Sequence, residues 1–177
     1  MEDKIILAGG CFWCTEAVYS KIKGILNITP GYTGGITDNP TYREVCSGTT
    51  QHAEAIEIVY DSNQVSMQEL LEIFFATHDP TTLNRQGGDV GTQYRSAIFY
   101  KNEEQKQIAE DYISFLTQQK VFEQPIVTTL EAVTTFYPAE IEHREYYANH
   151  PNQPFCSLVI APKLKTVKHL FANKIKE

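Results

Sequence analysis

The chain reads as an α+β domain, with helices packed on a mixed β-sheet. Three observations lead there. Apolar residues switch between the two-residue period of strands and the 3.6-residue period of helices, in the order β-α-β-β-α-β-α-β. Two of the helices carry clear start signals. A chain of 177 residues, 42% of them hydrophobic, suits one packed domain, here residues 1–177.

The first element is Ile5-Ile6-Leu7-Ala8, a short apolar run that reads as a buried strand. Gly9 and Gly10 then allow a sharp turn and a close backbone approach. Thr15 to Tyr19 lead into an amphipathic helix, so Cys11 is expected where a strand turns into a helix N-terminus. Free amides and the helix dipole favour a thiolate there. The dipole contributes only about 0.3–1 kcal/mol, less than one pKa unit, so strong activation needs other groups. Phe12 and Trp13, the only tryptophan, follow directly. A glycine-flanked cysteine beside two large aromatics reads as a nucleophile on the floor of an apolar pocket. The alternative is a buried structural cysteine.

Lys23 to Gly35 begins as a strand and ends as a glycine-rich loop carrying Tyr32. Residues 36–47 show no periodicity and hold the turn signal Asp38-Asn39-Pro40. His52 to Asp61 alternates as a strand, with Glu54, Ile56 and Ile58 on one face. Ser66-Met67-Gln68-Glu69 is a capping box, and Met67, Leu70, Leu71 and Phe74 behind it recur at helical spacing. Thr81 to Arg95 is polar, and Ser96 to Tyr100 is a strand. Asn102 caps a second strong helix bearing Ile108, Tyr112, Phe115 and Leu116 on one face. Pro125 to Phe136 alternates like a strand, and Glu140 to Asn149, with its Tyr146-Tyr147 pair, reads as helix. The prolines of His150-Pro151-Asn152-Gln153-Pro154-Phe155-Cys156 argue against helix or central strand. Residues 149–177 are therefore expected to form an ordered coil carrying Cys156, then a short terminal helix or frayed tail. The long segments 29–50 and 79–95 lack core periodicity, and loops of that length are usually functional.

A formal charge of −7 with scattered Lys and Arg argues against a nucleic-acid or anionic membrane surface. The apolar run near the N-terminus is too short for a signal-peptide core, and no later run could span a bilayer. The expectation is a soluble, cytoplasmic monomer. In that reducing compartment Cys11, Cys14, Cys46 and Cys156 read as catalytic, metal-binding or inert rather than as structural disulfides.

Cys11-x-x-Cys14 admits three readings. It is a redox dithiol, half of a zinc site completed by Cys46 and His52, or a nucleophile whose neighbour merely packs. Glu54 points inward with the core residues. It therefore either pairs with Arg43 or Arg95, or stays protonated and serves as an acid. Gly87 to Ser96, with three glycines, Asp89 and Tyr94, reads as a binding loop.

Gly9-Gly10-Cys11-Phe12-Trp13, Tyr42, His52-Ala53-Glu54 and Gly88-Asp89-Val90-Gly91-Thr92-Gln93-Tyr94-Arg95-Ser96 together resemble the peptide methionine sulfoxide reductase A family. The likeness runs from Ile5 to Cys156 in the family's order and spacing. It implies a two-layer α+β sandwich with a ferredoxin-like core. It also implies reduction of the S epimer of methionine sulfoxide, free or in proteins. By the resemblance, Cys11 is the nucleophile, Glu54 the acid, and Phe12 with Trp13 the methyl pocket. Tyr42 and Tyr94 are the donors to the sulfoxide oxygen, Asp89 is the pocket aspartate, and Cys156 resolves the intermediate. Many members have glycine at the position of Cys14, which makes Cys14 a second candidate for the resolving thiol. No metal or organic cofactor is implied, and the reductant is a dithiol such as thioredoxin. The runner-up reading is a general dithiol-disulfide oxidoreductase using Cys11 and Cys14.

Overall fold

The structure is a computed structural model and describes residues 1–176. Strand β1 (Glu2–Gly9) leads into helix α1 (Phe12–Tyr19), β2 (Ile25–Thr33), a short α2 (Tyr42–Cys46), β3 (Ala53–Asp61) and α3 (Met67–Thr77). A ribbon of β4 (Arg85–Gln86) and β5 (Asp89–Val90), then a 3₁₀ turn at Thr92–Tyr94, precede β6 (Ser96–Tyr100). Next come α4 (Glu103–Gln118), β7 (Thr129–Ala132), β8 (Tyr137–Pro138), the single turn α5 (Tyr146–Asn149) and α6 (Ala161–Leu170).

Six strands form one sheet in the order β7-β6-β1-β3-β2-β8. The central four are antiparallel, in the split β-α-β order of a ferredoxin-like core. Strand β7 joins β6 in parallel, which makes the sheet mixed. The α+β architecture read from the sequence is the one observed.

The two-residue period of the strands sorts the core. Ile5 and Leu7 of β1 and Ile56 and Ile58 of β3 meet Leu70, Leu71 and Phe74 of α3. Each such side chain contributes about 1.5–3 kcal/mol on full burial. The alternate residues Ile6, Ala8, Ala53 and Ala55 face the other side, where Ala97, Phe99 and Phe136 cover them. Glu54 shares its parity with Ile56 and Ile58, so the sheet aims its carboxyl into the helical layer.

Ser66 and Asn102 cap α3 and α4 as their sequence signals imply. A second capping box starts α2: Thr41 accepts from the Glu44 amide while Glu44 accepts from the Thr41 amide. The segment 36–47, read as loop, thus holds a helical turn that Thr41-x-x-Glu44 announces.

Two expectations are corrected. Residues 140–149 do not form one helix. A 3₁₀ turn at Ile141–His143 is separated from α5 by Glu145, held left-handed at φ 52° and ψ 38°. The coil expected to carry Cys156 is helical from Pro154 onward. Proline is harmless in a helix's first turn, where its missing N–H would be unpaired anyway. The helix then widens into a π turn over Cys156–Ile160, and the Ala161 N–H donates to the Cys156 carbonyl five residues back. Pro162, with no N–H to give, follows at once. Cys156 is fully buried in this segment. The terminal helix starts at Ala161 and stops at Leu170. Among the described residues no helix is long and apolar enough to cross a membrane.

Candidate active site

The β1–α1 junction positions the first thiol. Gly10 takes φ 93°, and a Cβ there would lie 2.7 Å from Cγ of Gln86 in β4, so glycine is needed for conformation and for space. Cys11 is the N-cap of α1, at φ −58° and ψ 129°, and lies outside the helix proper. Its carbonyl accepts from the Cys14 amide at 3.0 Å. The two cysteines therefore flank the helix N-terminus and are not stacked one turn apart within it.

The thiolate expected at Cys11 is not what the structure supports. Burial pushes the Cys11 thiol well above its ordinary range, and the neighbouring Cys14 and Glu54 push it further. A dipole contribution below 1 kcal/mol cannot offset the loss of hydration. Cys14 moves the other way, lowered first by a hydrogen bond from Cys11 and then by the ammonium of Lys163. A general dithiol oxidoreductase needs its leading cysteine readily ionised. The neutral Cys11 does not fit that runner-up.

Beside Cys11 stands Glu54, 1% exposed. Its Oε1 accepts the Phe12 amide at 3.1 Å. Its Oε2 is buried and has no hydrogen-bond partner. Burial raises its pKa to about 8, so the carboxyl is mostly protonated at neutral pH. The proton falls on Oε2, because Oε1 is already accepting. The arginine pairing considered from the sequence is not formed. Arg95 pairs with Glu131 at 3.3 Å, and its Nη1 donates to the carbonyls of Gln51 and Thr92 at 3.1 Å each. That guanidinium thereby joins the entry to β3 to the turn carrying Tyr94.

An aromatic corner surrounds the pair. Phe12 packs on Tyr32 and Tyr42 with centroids 5.7 and 6.1 Å apart. The Trp13 indole N–H donates to His143 Nδ1 at 3.1 Å. The ring of Tyr146 lies parallel on Trp13 at 3.7 Å, and Phe155 meets the indole edge-on at 5.9 Å. Glu140 ties the corner down, accepting the Tyr32 hydroxyl at 2.8 Å and the Tyr42 amide at 2.9 Å. Burial raises the phenols of both Tyr42 and Tyr94. They remain protonated donors at neutral pH.

On the other side of Cys11 is a cavity of about 340 Å³, lined by Cys14, Asp89, Phe155, Val159 and Lys163 among others. Cys11, Cys14 and Cys156 pack in one apolar cluster with Ala17 and Ile160. Cys14 is the thiol whose charge reaches Cys156. Cys11, Cys14, Cys156, Phe12, Trp13, Tyr42, Glu54, Asp89 and Tyr94 thus gather around this junction, while His52 and the two arginines do not join them. Sequence reasoning missed Glu140, His143 and Phe155, and noted Tyr32 and Tyr146 without giving them a place. These residues act through long-range packing, which no local pattern marks.

The zinc set is not assembled. His52 has both ring nitrogens engaged: Nδ1 accepts the Gly35 amide at 3.0 Å and Nε2 donates to the Thr37 carbonyl at 2.6 Å. Among the described residues the one metal-spaced group is Glu140, Glu142 and His143, which includes no cysteine. Two of its members are already engaged by Tyr32, Tyr42 and Trp13.

Known proteins resemble this chain in sequence and in fold. The sequence profile described as peptide methionine sulfoxide reductase matches residues 3–175. The chain is 54% identical over 170 residues to the peptide methionine sulfoxide reductase MsrA of Saccharolobus solfataricus, covering 96% of this chain and 95% of that one. Its fold is similar to that of yeast Mxr1 in reduced form, with TM-score 0.77 and 34% identity over 86% of this chain and 87% of that one. Mxr1 in complex with Trx2 also matches, with TM-score 0.52 and 25% identity over 82% and 84%. Near-complete coverage at this identity shows that the chain belongs to the peptide methionine sulfoxide reductase family, whose members are oxidoreductases that reduce methionine sulfoxide.

Proposed function

We propose that Cys11 takes the oxygen from methionine sulfoxide while Glu54 delivers the proton that lets it leave. The observation that carries this is the unpartnered, protonated Oε2 of Glu54 beside the buried Cys11 thiol. A sulfoxide oxygen departs only as hydroxide equivalent, so a protonated carboxyl is worth more here than an ionised one. Glu54 protonates the oxygen and takes up the Cys11 proton. The sulfur of Cys11 attacks the substrate sulfur, and the hydroxyl passes to Cys11. Methionine sulfur gains two electrons and Cys11 loses two, leaving methionine and Cys11 sulfenic acid.

The side chains around this pair fit the roles the resemblance gives them. Phe12 and Trp13 enclose the S-methyl group. Tyr42 and Tyr94 donate to the oxygen. Asp89, at the cavity rim, holds the polar part of the substrate. Its free and protein-bound forms present the same sulfoxide to this corner.

A second thiol then condenses with the sulfenic acid. Cys11, Cys14 and Cys156 share one apolar cluster, and Cys14 is only three residues from Cys11, in the first turn of the helix that Cys11 caps. We therefore place Cys14 as the first acceptor and Cys156 as the thiol that finally carries the disulfide, a change of order from the reading of Cys156 as the direct partner. An external dithiol of the thioredoxin type reduces it. Support for that partner is the complex of the related Mxr1 with Trx2. The cycle balances with thiols, one carboxyl and water alone. We take residues 1–177 as one catalytic domain working as a monomer in the reducing cytoplasm.

An apolar corner on one side and fixed donors on the other accept one hand of sulfur. Turnover with each epimer and dithiothreitol, followed on a chiral column, should consume the S form and leave the R form. Equal consumption of both would remove the pocket assignment.

A further inference from the structure

We infer that Lys163, on α6, is a positioning residue for Cys14, its side chain set in the shared cavity to assist the Cys14 sulfur as it attacks the Cys11 sulfenic acid. This rests on the reading of Cys14 as first acceptor. Lys163 lines the same cavity as Cys11 and Cys14, opposite the β5 ribbon. It is half-buried, and none of the ion pairs among the described residues uses it. Its ammonium forms no ion pair there, and its charge also reaches Asp89 in this cavity and His78 in the neighbouring one.

The titratable groups around Cys14 include Tyr94, Tyr146 and Tyr147, which pack on the same cluster. Cys11 lies at the cap of α1, Glu54 on β3, Asp89 on β5, Cys156 in the π turn and Lys163 on α6. Lys163 is the one cation among them. Asp89 opposes the Cys14 thiolate, and Lys163 favours it. In the resting protein the S–H of Cys11 also stabilises Cys14. Once Cys11 carries the sulfenyl oxygen that donor is gone. Lys163 is then the stabiliser that remains. Lys163 is not among the causes of the Cys11 or Glu54 shift, whereas it favours the ionised form of Asp89, so its effect on substrate binding is read apart from its effect on Cys14.

The step balances. The Cys14 thiolate attacks the Cys11 sulfenyl sulfur, the S–S bond forms as S–O breaks, and hydroxide leaves to take a proton and become water. Cys14 sulfur is oxidised and Cys11 sulfur reduced by one unit each.

The test uses the whole chain with L-methionine S-sulfoxide and no reductant. Rapid quench measures the methionine burst, dimedone traps the sulfenic acid, and both are followed from pH 5.5 to 9. K163Q should still give a burst of one equivalent, while its sulfenic acid persists about tenfold longer at neutral pH, the effect of about one pKa unit on the thiolate fraction. The pH midpoint of disulfide formation should rise, and K163R should restore both lifetime and midpoint. Disulfide formation in K163Q at the wild-type rate and midpoint overturns the inference. So does equal slowing in K163Q and K163R with an unmoved midpoint, which marks packing alone. A wild type with no burst overturns the functional reading itself.

Discussion

The two halves of the site are built differently. Cys11 follows β1 at the cap of α1, and Glu54 lies on β3, the strand paired with β1 in unbroken register from Glu2 with Asp61 to Leu7 with Ile56. Cys156, Phe155 and Tyr146 sit on a one-turn helix and a π turn that join no strand. The first half fixes an acid and a nucleophile against each other. The second holds its groups by side-chain packing and a widened turn that can tighten. On the proposed roles, bond-making chemistry rests on the strand-paired part of the fold, and the passing-on of oxidation rests on a part outside the sheet.

The largest expected effect tests that division directly. Cys11→Ser should release no methionine at all, whereas Cys156→Ser should still release one equivalent per chain and then stall with thioredoxin. One methionine per chain from Cys11→Ser, measured by rapid quench, would break the contrast at its root.

Next in size is the acid. Glu54→Gln should slow the sulfoxide step by roughly 10²–10⁴-fold, the usual range for general acid catalysis. Disulfide formation afterwards should be nearly unchanged. In the wild type this step should weaken as pH rises through about 8, where Glu54 gives up its proton. Stopped-flow traces showing no such fall would detach Glu54 from the chemistry.

The smallest effect is on stability. The pKa of Glu54 is raised from 4.5 to about 8 on folding, so the native state binds the extra proton between those values. Its contribution is complete below pH 4.5 and is lost as pH climbs to about 8. Stability should therefore fall with a slope of at most about 1.4 kcal/mol per pH unit. Urea unfolding of Glu54→Gln should lack that slope. On the Cys156 side Glu16, buried against α5, is also raised by burial and should add a slope of the same sign.

Much of the strand-paired half was legible. Alternation at Glu54, Ile56 and Ile58 aimed the carboxyl inward, and the Gly-Gly-Cys turn announced a strand-to-helix junction. Ser66 and Asn102 marked their helices because a cap is a local event. The other half was misread for an equally local reason. Pro151 and Pro154 were weighed as breakers, although Pro154 stands in a first turn where its missing N–H costs nothing. The ionisation of the thiols was illegible too. It depends on the desolvation of Cys11 and on Lys163, which is 149 residues away along the chain from Cys14. The Thr41–Glu44 box was readable by the rule that found Ser66 and was passed over inside a stretch without periodicity.

The stack of Tyr146 on Trp13 also makes the molecule report on itself. With one tryptophan in the whole chain, every photon of indole emission comes from the active-site corner. That emission is shaped by the Tyr146 ring, the His143 hydrogen bond and the edge of Phe155. Two of these three partners lie on the half of the site outside the sheet. Intrinsic fluorescence thus follows the relation between the two halves in real time, without a dye, as each redox state forms and decays.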